Sequence, residues 1–239
     1  MSAADGAPSR AAFGRGWSDG RPQVVVRRLV DDLETPVSAF LKVGHGRAHA
    51  FLLESVEGGA VNGRYSIITR EPDVVWRCRD GRADMARGAD IADGRFTALY
   101  GGALETLRTL MAASRFELPD DLPPMAAGLF GVFGYDMVRL LEPLGAPNPD
   151  PLDLPDAVLA RPGLVAIFDS VKHEIVLASE AYPDAGLAPE AALAAATSTI
   201  SCRTESKMAT RAGRVRTASG RSSGSGLGAP SGSSSRTMS

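Results

Sequence analysis

The chain has little that could cross-link or ligate: two cysteines and three histidines among 239 residues. Cys78 and Cys202 are widely separated and show no CxxC spacing, which excludes a disulfide framework and a cysteine zinc site. A reducing cytoplasm is therefore the expected compartment. No apolar run approaches the length that crosses a bilayer, so no membrane contact is expected. The opening stretch MSAADGAPSRAAFGRGWSDG has no apolar core and reads as neither leader nor anchor. Charge of one sign is also lacking overall. With 26 basic against 28 acidic residues the net charge is −2, which leaves no electrostatic footprint for nucleic acid or an anionic membrane. What is present, 44% hydrophobic and 23% charged, suffices for one sizeable core or two small ones.

The near neutrality hides a division. Residues 201–239 carry seven basic residues against Glu205 alone, a charge of +6, so residues 1–200 carry −8. The same 39 residues hold 11 Ser and 6 Gly and almost no large apolar side chain, so 201–239 reads as a disordered Ser/Gly/Arg-rich tail. No aromatic residue interleaves its arginines, and nucleic-acid binding is not expected. Residues 1–20 read as a disordered lead for a similar compositional reason. Between them, 21–200 reads as one folded domain.

Within that domain Val24 to Val30 has the β-branched content of a strand, and Thr35-Pro36 marks a helix start with Thr35 as N-cap. Gly44 and Gly46 stop that helix. Short apolar runs at 49–55, 64–68 and 74–76, separated by turn residues, form a meander signature. Leucines from Leu99 to Leu110 recur at helical spacing. GLFGVFGY at 128–135 predicts a strand, after which Asp136 is expected to cap a short helix. Residues 148–162, with prolines at 149, 151, 155 and 162, predict an extended surface connection. Strands at 163–168 and 174–178 with a hairpin loop at 169–173 follow, and then an Ala-rich helix from 188.

Few residues offer chemistry. His45 and His49 have the spacing of metal ligands on a helix, but Gly44 and Gly46 argue against a helix there, leaving loop histidines. Cys78 lacks an identifiable base and reads as a strand thiol. Gly128, Gly131 and Gly134 lie within an apolar run rather than in a turn after a strand, so they predict close backbone packing, not a phosphate cradle. Glu54-Ser55 differs. A carboxylate and a hydroxyl follow two leucines, with Arg64 on the next strand, and together they could hold an amino acid's ammonium group beside an apolar wall.

At these residues the sequence resembles the N-terminal portion of anthranilate synthase component I, a family of chorismate-utilising enzymes. The resemblance rests on FLLESVEGG at 51–59 and GRYSII at 63–68, supported by DLETPVSAFLKV at 32–43, GLFGVFGYDMVRLLE at 128–142, DLPDAVLARPGLVAIFD at 153–169 and EIVLASEAYP at 174–183. It implies an α+β fold, an antiparallel sheet with packed helices forming the N-terminal half of a larger two-sheet fold. It also implies that full-length members convert chorismate and ammonia or glutamine to anthranilate and pyruvate in tryptophan biosynthesis, with magnesium and a glutamine amidotransferase partner. Tryptophan is the implied feedback effector, with Leu53, Glu54 and Ser55 matching one side of its site and Arg64 the basic position that follows. The chorismate and magnesium residues belong to the family's C-terminal part, so no catalytic residue, metal ligand or cofactor is expected in this chain and no activity from it alone. A truncated member is the expected reading, and a changed reading frame near residue 195 the expected origin of the tail. Two alternatives accompany it: a non-catalytic tryptophan-binding or interaction module, and a fragment of aminodeoxychorismate synthase component I, which shares the GYD and hairpin blocks. Thr69 stands where the family pattern has glycine, which predicts an altered local turn.

Overall fold

The computed structural model describes residues 10–31, 33–56, 62–115, 118–145 and 149–200. In chain order it contains α1 (Arg10–Ser18), β1 (Gln23–Val30), α2 (Pro36–Val43), β2 (Phe51–Val56), β3 (Asn62–Arg70), β4 (Val74–Arg79) and β5 (Arg82–Arg87). There follow α3 (Ala89–Ala92), β6 (Thr97–Ala98), α4 (Ala103–Ala113), β7 (Phe130–Phe133), β8 (Ala157–Arg161), β9 (Leu164–Asp169), β10 (Glu174–Ala181) and α5 (Pro189–Ile200). The strands make two five-stranded sheets, β1-β10-β9-β3-β2 and β6-β5-β4-β8-β7, and every pairing is antiparallel. The fold is the expected α+β arrangement.

The first sheet is buried on both faces. Val25, Ile68, Leu164, Ala166, Phe168, Ile175 and Leu177 pack against α1, α2 and α5. Val26, Val165, Ile167, Val176 and Ala178 pack on the other side against Leu122 and Ala126, with Phe130 of β7 alongside. This explains why β9 is an unbroken apolar run and not an alternating one. The second sheet lays Val74, Trp76, Cys78, Ala157 and Leu159 on Ala103, Leu107 and Leu110 of α4, where the Trp76 indole N–H donates to Thr106 Oγ1 at 3.1 Å. Among the described residues no helix is long and apolar enough to cross a membrane.

Local chemistry sets several boundaries. Thr35 caps α2 as predicted: its Oγ1 accepts from Ser38 N–H at 3.1 Å, while Ser38 Oγ accepts from Thr35 N–H at 3.0 Å, a reciprocal box with Pro36 at the first helical position. β4 and β5 are joined by Asp80-Gly81, both at positive φ (49° and 72°), the geometry a two-residue hairpin requires.

Four expectations are corrected. The lead reading fails over Arg10–Ser18, because Phe13 and Trp17 lie four apart on one helix face, stack at 5.6 Å and are buried under α5 and the first sheet; residues 1–9 lie outside the described set. The supposed surface connection holds only through 149–156; Ala157–Arg161 is a buried strand, since Pro155 and Pro162 flank its five residues without interrupting them. Asp136 is not a cap: Gly134 holds that position, and the Asp136 carboxylate instead accepts from Arg139 Nε at 2.6 Å. Thr69 alters no turn, because it is a buried residue within β3, paired with Phe51 and Val165. The tail at 201–239 lies outside the described residues.

Candidate functional site

Leu53, Glu54 and Ser55 lie on β2, an edge strand of the first sheet, and all three are exposed. Strand alternation puts Leu53 opposite Ile67 on one face and Glu54 on the face of Leu52, which packs toward the helices. Pairing with β3 is regular from Phe51↔Thr69 to Glu54↔Ser66 and then shifts to Val56↔Asn62, so β3 bulges opposite Ser55, with residues 63–65 facing that one residue. Gly63 fits there because it has no side chain. A methyl at that position would come 2.2 Å from Ser55 Oγ and 2.6 Å from its carbonyl oxygen.

Arg64 does not reach toward Glu54. Its Nε and Nη2 donate to the buried carboxylate of Asp169 on β9, the shortest contact being 2.8 Å, and its guanidinium lies 4.8 Å from the Tyr65 ring centroid. Asp169 Oδ1 also accepts from the Val171 and Lys172 N–H groups at 3.1 Å, which orders the β9–β10 turn. Ser170 of that turn donates through both N–H and Oγ to the Arg64 carbonyl, each at 3.0 Å. The hydrogen bonds from Arg64 hold the Asp169 carboxyl below the usual carboxylate range against the opposing effect of burial, and the two turn N–H groups reinforce this. The bulged end of the β2–β3 pair is thus tied to the β9–β10 turn. Of the four predicted site residues, three share one strand edge and the fourth is committed to a partner the sequence did not single out.

The other sequence candidates resolve structurally. His49 sits at φ 55°, and its imidazole is pushed down by burial and by the Arg77 charge. The Cys78 thiol is fully buried and pushed up, first by that burial and then by the Asp156 charge, unlike an activated nucleophile. Gly131 and Gly134 allow β7 to approach β8: methyls there would stand 2.0 Å from Val158 O and 2.8 Å from Asp156 O. That is the close packing the sequence predicted, at two of the three glycines; a methyl at Gly128 would meet nothing within 4 Å, and that residue is set apart by its φ of 137° instead. Among the described residues no group of three or more His, Cys, Asp or Glu side chains could hold a metal ion.

No protein-family model matches the chain. Anthranilate synthase component 1 of Cereibacter sphaeroides is 50% identical over 185 residues, which is 77% of this chain and 37% of that protein. The protein of the same name from Synechocystis sp. is 38% identical over 152 residues, covering 63% of this chain and 29% of the relative. Among solved structures, anthranilate synthase component I from Streptococcus pneumoniae TIGR4 aligns over 72% of this chain and 35% of its own, at TM-score 0.47 and 20% identity. The chain thus spans about a third of the length of the relatives it matches. By this homology across most of its length, the chain belongs to the anthranilate synthase component I family and corresponds to a segment of its members.

Proposed function

We infer that the β2–β3 edge is one wall of an amino-acid effector site, for tryptophan, in a segment of an enzyme that converts chorismate and ammonia or glutamine to anthranilate and pyruvate. The observation that supports this most is the 50% identity over 185 residues with a protein named anthranilate synthase component 1. The edge has suitable chemistry: Leu53 supplies exposed apolar surface, Glu54 a carboxylate for an ammonium group and Ser55 a hydroxyl. Arg64 then has a positioning role, since its hydrogen bonds to Asp169 hold the bulge that presents Ser55.

In this reading the residues described here bind and do not catalyse. The family draws its chorismate-binding and magnesium-binding groups, and the opposite wall of the effector site, from its C-terminal part. Affinity for tryptophan through one wall is accordingly weak, and the glutamine amidotransferase partner of the family acts with the catalytic part.

Titration of labelled protein with tryptophan to millimolar concentration, followed by amide chemical shifts, tests the reading. Shifts confined to Leu53, Glu54, Ser55 and their β3 neighbours are expected; no localised shift, or shifts centred elsewhere, would overturn it. A parallel assay of anthranilate fluorescence with chorismate, magnesium and ammonium is expected to stay at blank beside an active relative.

A further inference from the structure

The chain crosses between its two sheets at two adjacent points. It leaves β3 at Arg70 and enters β4 at Val74 through Glu71, Pro72 and Asp73, and it returns from Arg161 of β8 through Pro162 and Gly163 to β9. The crossings are strapped together: Gly163 N–H donates to Glu71 O at 2.9 Å, and Asp73 N–H donates to Arg161 O at 3.1 Å. A methyl at residue 163 would stand 2.5 Å from Glu71 O, so only glycine allows this approach without displacement.

A charged cluster is built over these straps. The Arg161 side chain is fully buried; its Nε and Nη2 donate to Asp73 at 2.8 and 2.6 Å, and Nη2 also reaches Asp184 at 2.9 Å. Arg87, at the end of β5, donates to the same Asp184 at 3.0 Å. The Arg161 guanidinium lies 3.8 Å from the Tyr182 ring centroid. Both arginines belong to the second sheet, whereas Tyr182 and Asp184 follow β10 of the first. Two guanidinium groups and two aspartates balance in charge. Glu180 of β10, buried at 7% exposure, then adds a carboxyl that forms no ion pair among the described residues.

The hydrogen bonds around Glu180 show where a proton is needed. Its Oε2 is bonded to Tyr182 Oη, which also contacts the carbonyl of Ser114 at 3.4 Å, where α4 ends. Glu180 Oε1 has no partner among the described residues, and Val24 across the ladder is apolar. Tyr182 has one hydroxyl proton and two acceptors to satisfy. With a carboxylate at Glu180 that proton stays on the Glu180 bond, and Tyr182 has none to give Ser114. With a proton on Glu180 Oε2, Glu180 donates to Tyr182 and Tyr182 donates to Ser114, completing a line from the first sheet to the helix of the second.

We propose that this junction is a proton-held latch between the two sheets, closed while Glu180 carries a proton and loosened when that proton is lost. The groups facing Glu180 are Tyr182, Asp73 and Arg161, with Asp184 and Arg87 beyond Arg161. Burial is the main cause that pushes the Glu180 carboxyl up to about 8; the Asp73 charge adds to it, and Tyr182 and Arg161 oppose it. Burial also pushes Asp184 up, but Arg161 and Arg87 more than offset this and leave it lowered, so it stays ionised through the range where Glu180 titrates. The closed latch therefore binds one more proton than the open one from about pH 5 to about pH 8, and raising the pH through that range favours opening, with no further change above it.

Amide hydrogen exchange of the full chain from pH 5 to pH 10, normalised to the intrinsic base-catalysed rate, reads the latch at Asp73 and Gly163. Wild-type protection at these two amides is expected to fall about tenfold per pH unit and then level off near pH 8. In Glu180→Gln it is expected to be flat, while Trp76 and Leu177 in the sheet interiors show no such slope in either protein. The same slope in Glu180→Gln, a flat wild type, or an equal slope at Trp76 and Leu177 would overturn the latch, the last by showing a change in whole-molecule stability. Carboxyl carbon NMR of the unmodified protein gives a second reading that needs no variant to fold: a Glu180 midpoint near 8 is expected, and one at the ordinary 4.5 would overturn the proposal.

Discussion

Asp169 performs two tasks, pairing with Arg64 and ordering the turn, and two substitutions separate them. Oδ1 accepts both turn N–H groups, from Val171 and Lys172, together with Arg64 Nε at 3.1 Å, while Oδ2 takes the 2.8 Å bond from Arg64 Nη2. Asp169→Asn keeps an amide oxygen for the turn and loses the charge that holds Arg64. Asp169→Ala loses both. The Arg64 side chain is 44% exposed, so solvent screens its share of the pair and Asn is expected to cost about 1 kcal/mol. Alanine additionally leaves two N–H groups at the turn without an acceptor, about 1 kcal/mol each, for a total of about 3 kcal/mol. Urea denaturation at pH 7 with a shared slope measures both values. The acid limb provides a second check with a definite sign. The folded Asp169 pKa lies below its unfolded value, so its contribution is complete above the unfolded value and is lost as the pH falls through the folded one. Asp169→Asn should remove that part of the acid dependence while leaving the turn intact. Equal losses for Asn and Ala, or an unchanged acid limb in Asn, would refute the separation of the charge pair from the turn.

Three further outcomes follow from the geometry. Gly63→Ala drives a methyl into Ser55, 2.2 Å from Oγ, and is expected to cost about 1–3 kcal/mol in urea denaturation and to shift the amide resonances of β2; an unperturbed β2 would show that the bulge yields freely. Thr35→Ala removes one half of the reciprocal box at α2 and should cost about 1 kcal/mol, read as a lowered Tm. Phe13→Ala, at a side chain 1% exposed, should cost about 3 kcal/mol, whereas a negligible loss by urea denaturation would mean that α1 contributes nothing to the core.

The parts of the fold legible in sequence were those whose signals are local. Thr35-Pro36 stated its own cap, and the loop between β9 and β10 was bounded by two apolar runs. The same rule should have revealed β5, because Asp80-Gly81 is a two-residue hairpin signal and Arg82–Arg87 pairs regularly behind it. It was obscured by composition: RADMAR buries only Ala83 and Ala86, so it lacks the large apolar side chains that mark a strand. β8 was hidden for the opposite reason, its apolar residues lying between prolines that suggested a surface loop. α1 was hidden because two aromatics among glycines and alanines acquire meaning only when a sheet lies beneath them.

The candidate site divides along the same line. The residue types at 53–55 announced a polar strand edge, but where the Arg64 charge goes could not be read, because its partner lies 105 positions away. Arg161 and Asp73 are 88 positions apart, and both read individually as ordinary charges beside a proline. A charge becomes structural only when topology removes its solvent, and topology here brings two proline-bearing crossings side by side and buries what flanks them. The residues that tie the two sheets together are therefore those whose sequence signal is weakest. An arginine at the end of a strand is inconspicuous in a sequence, but once both sheets close over it, removing its charge leaves Asp73 and Asp184 facing each other without the cation between them.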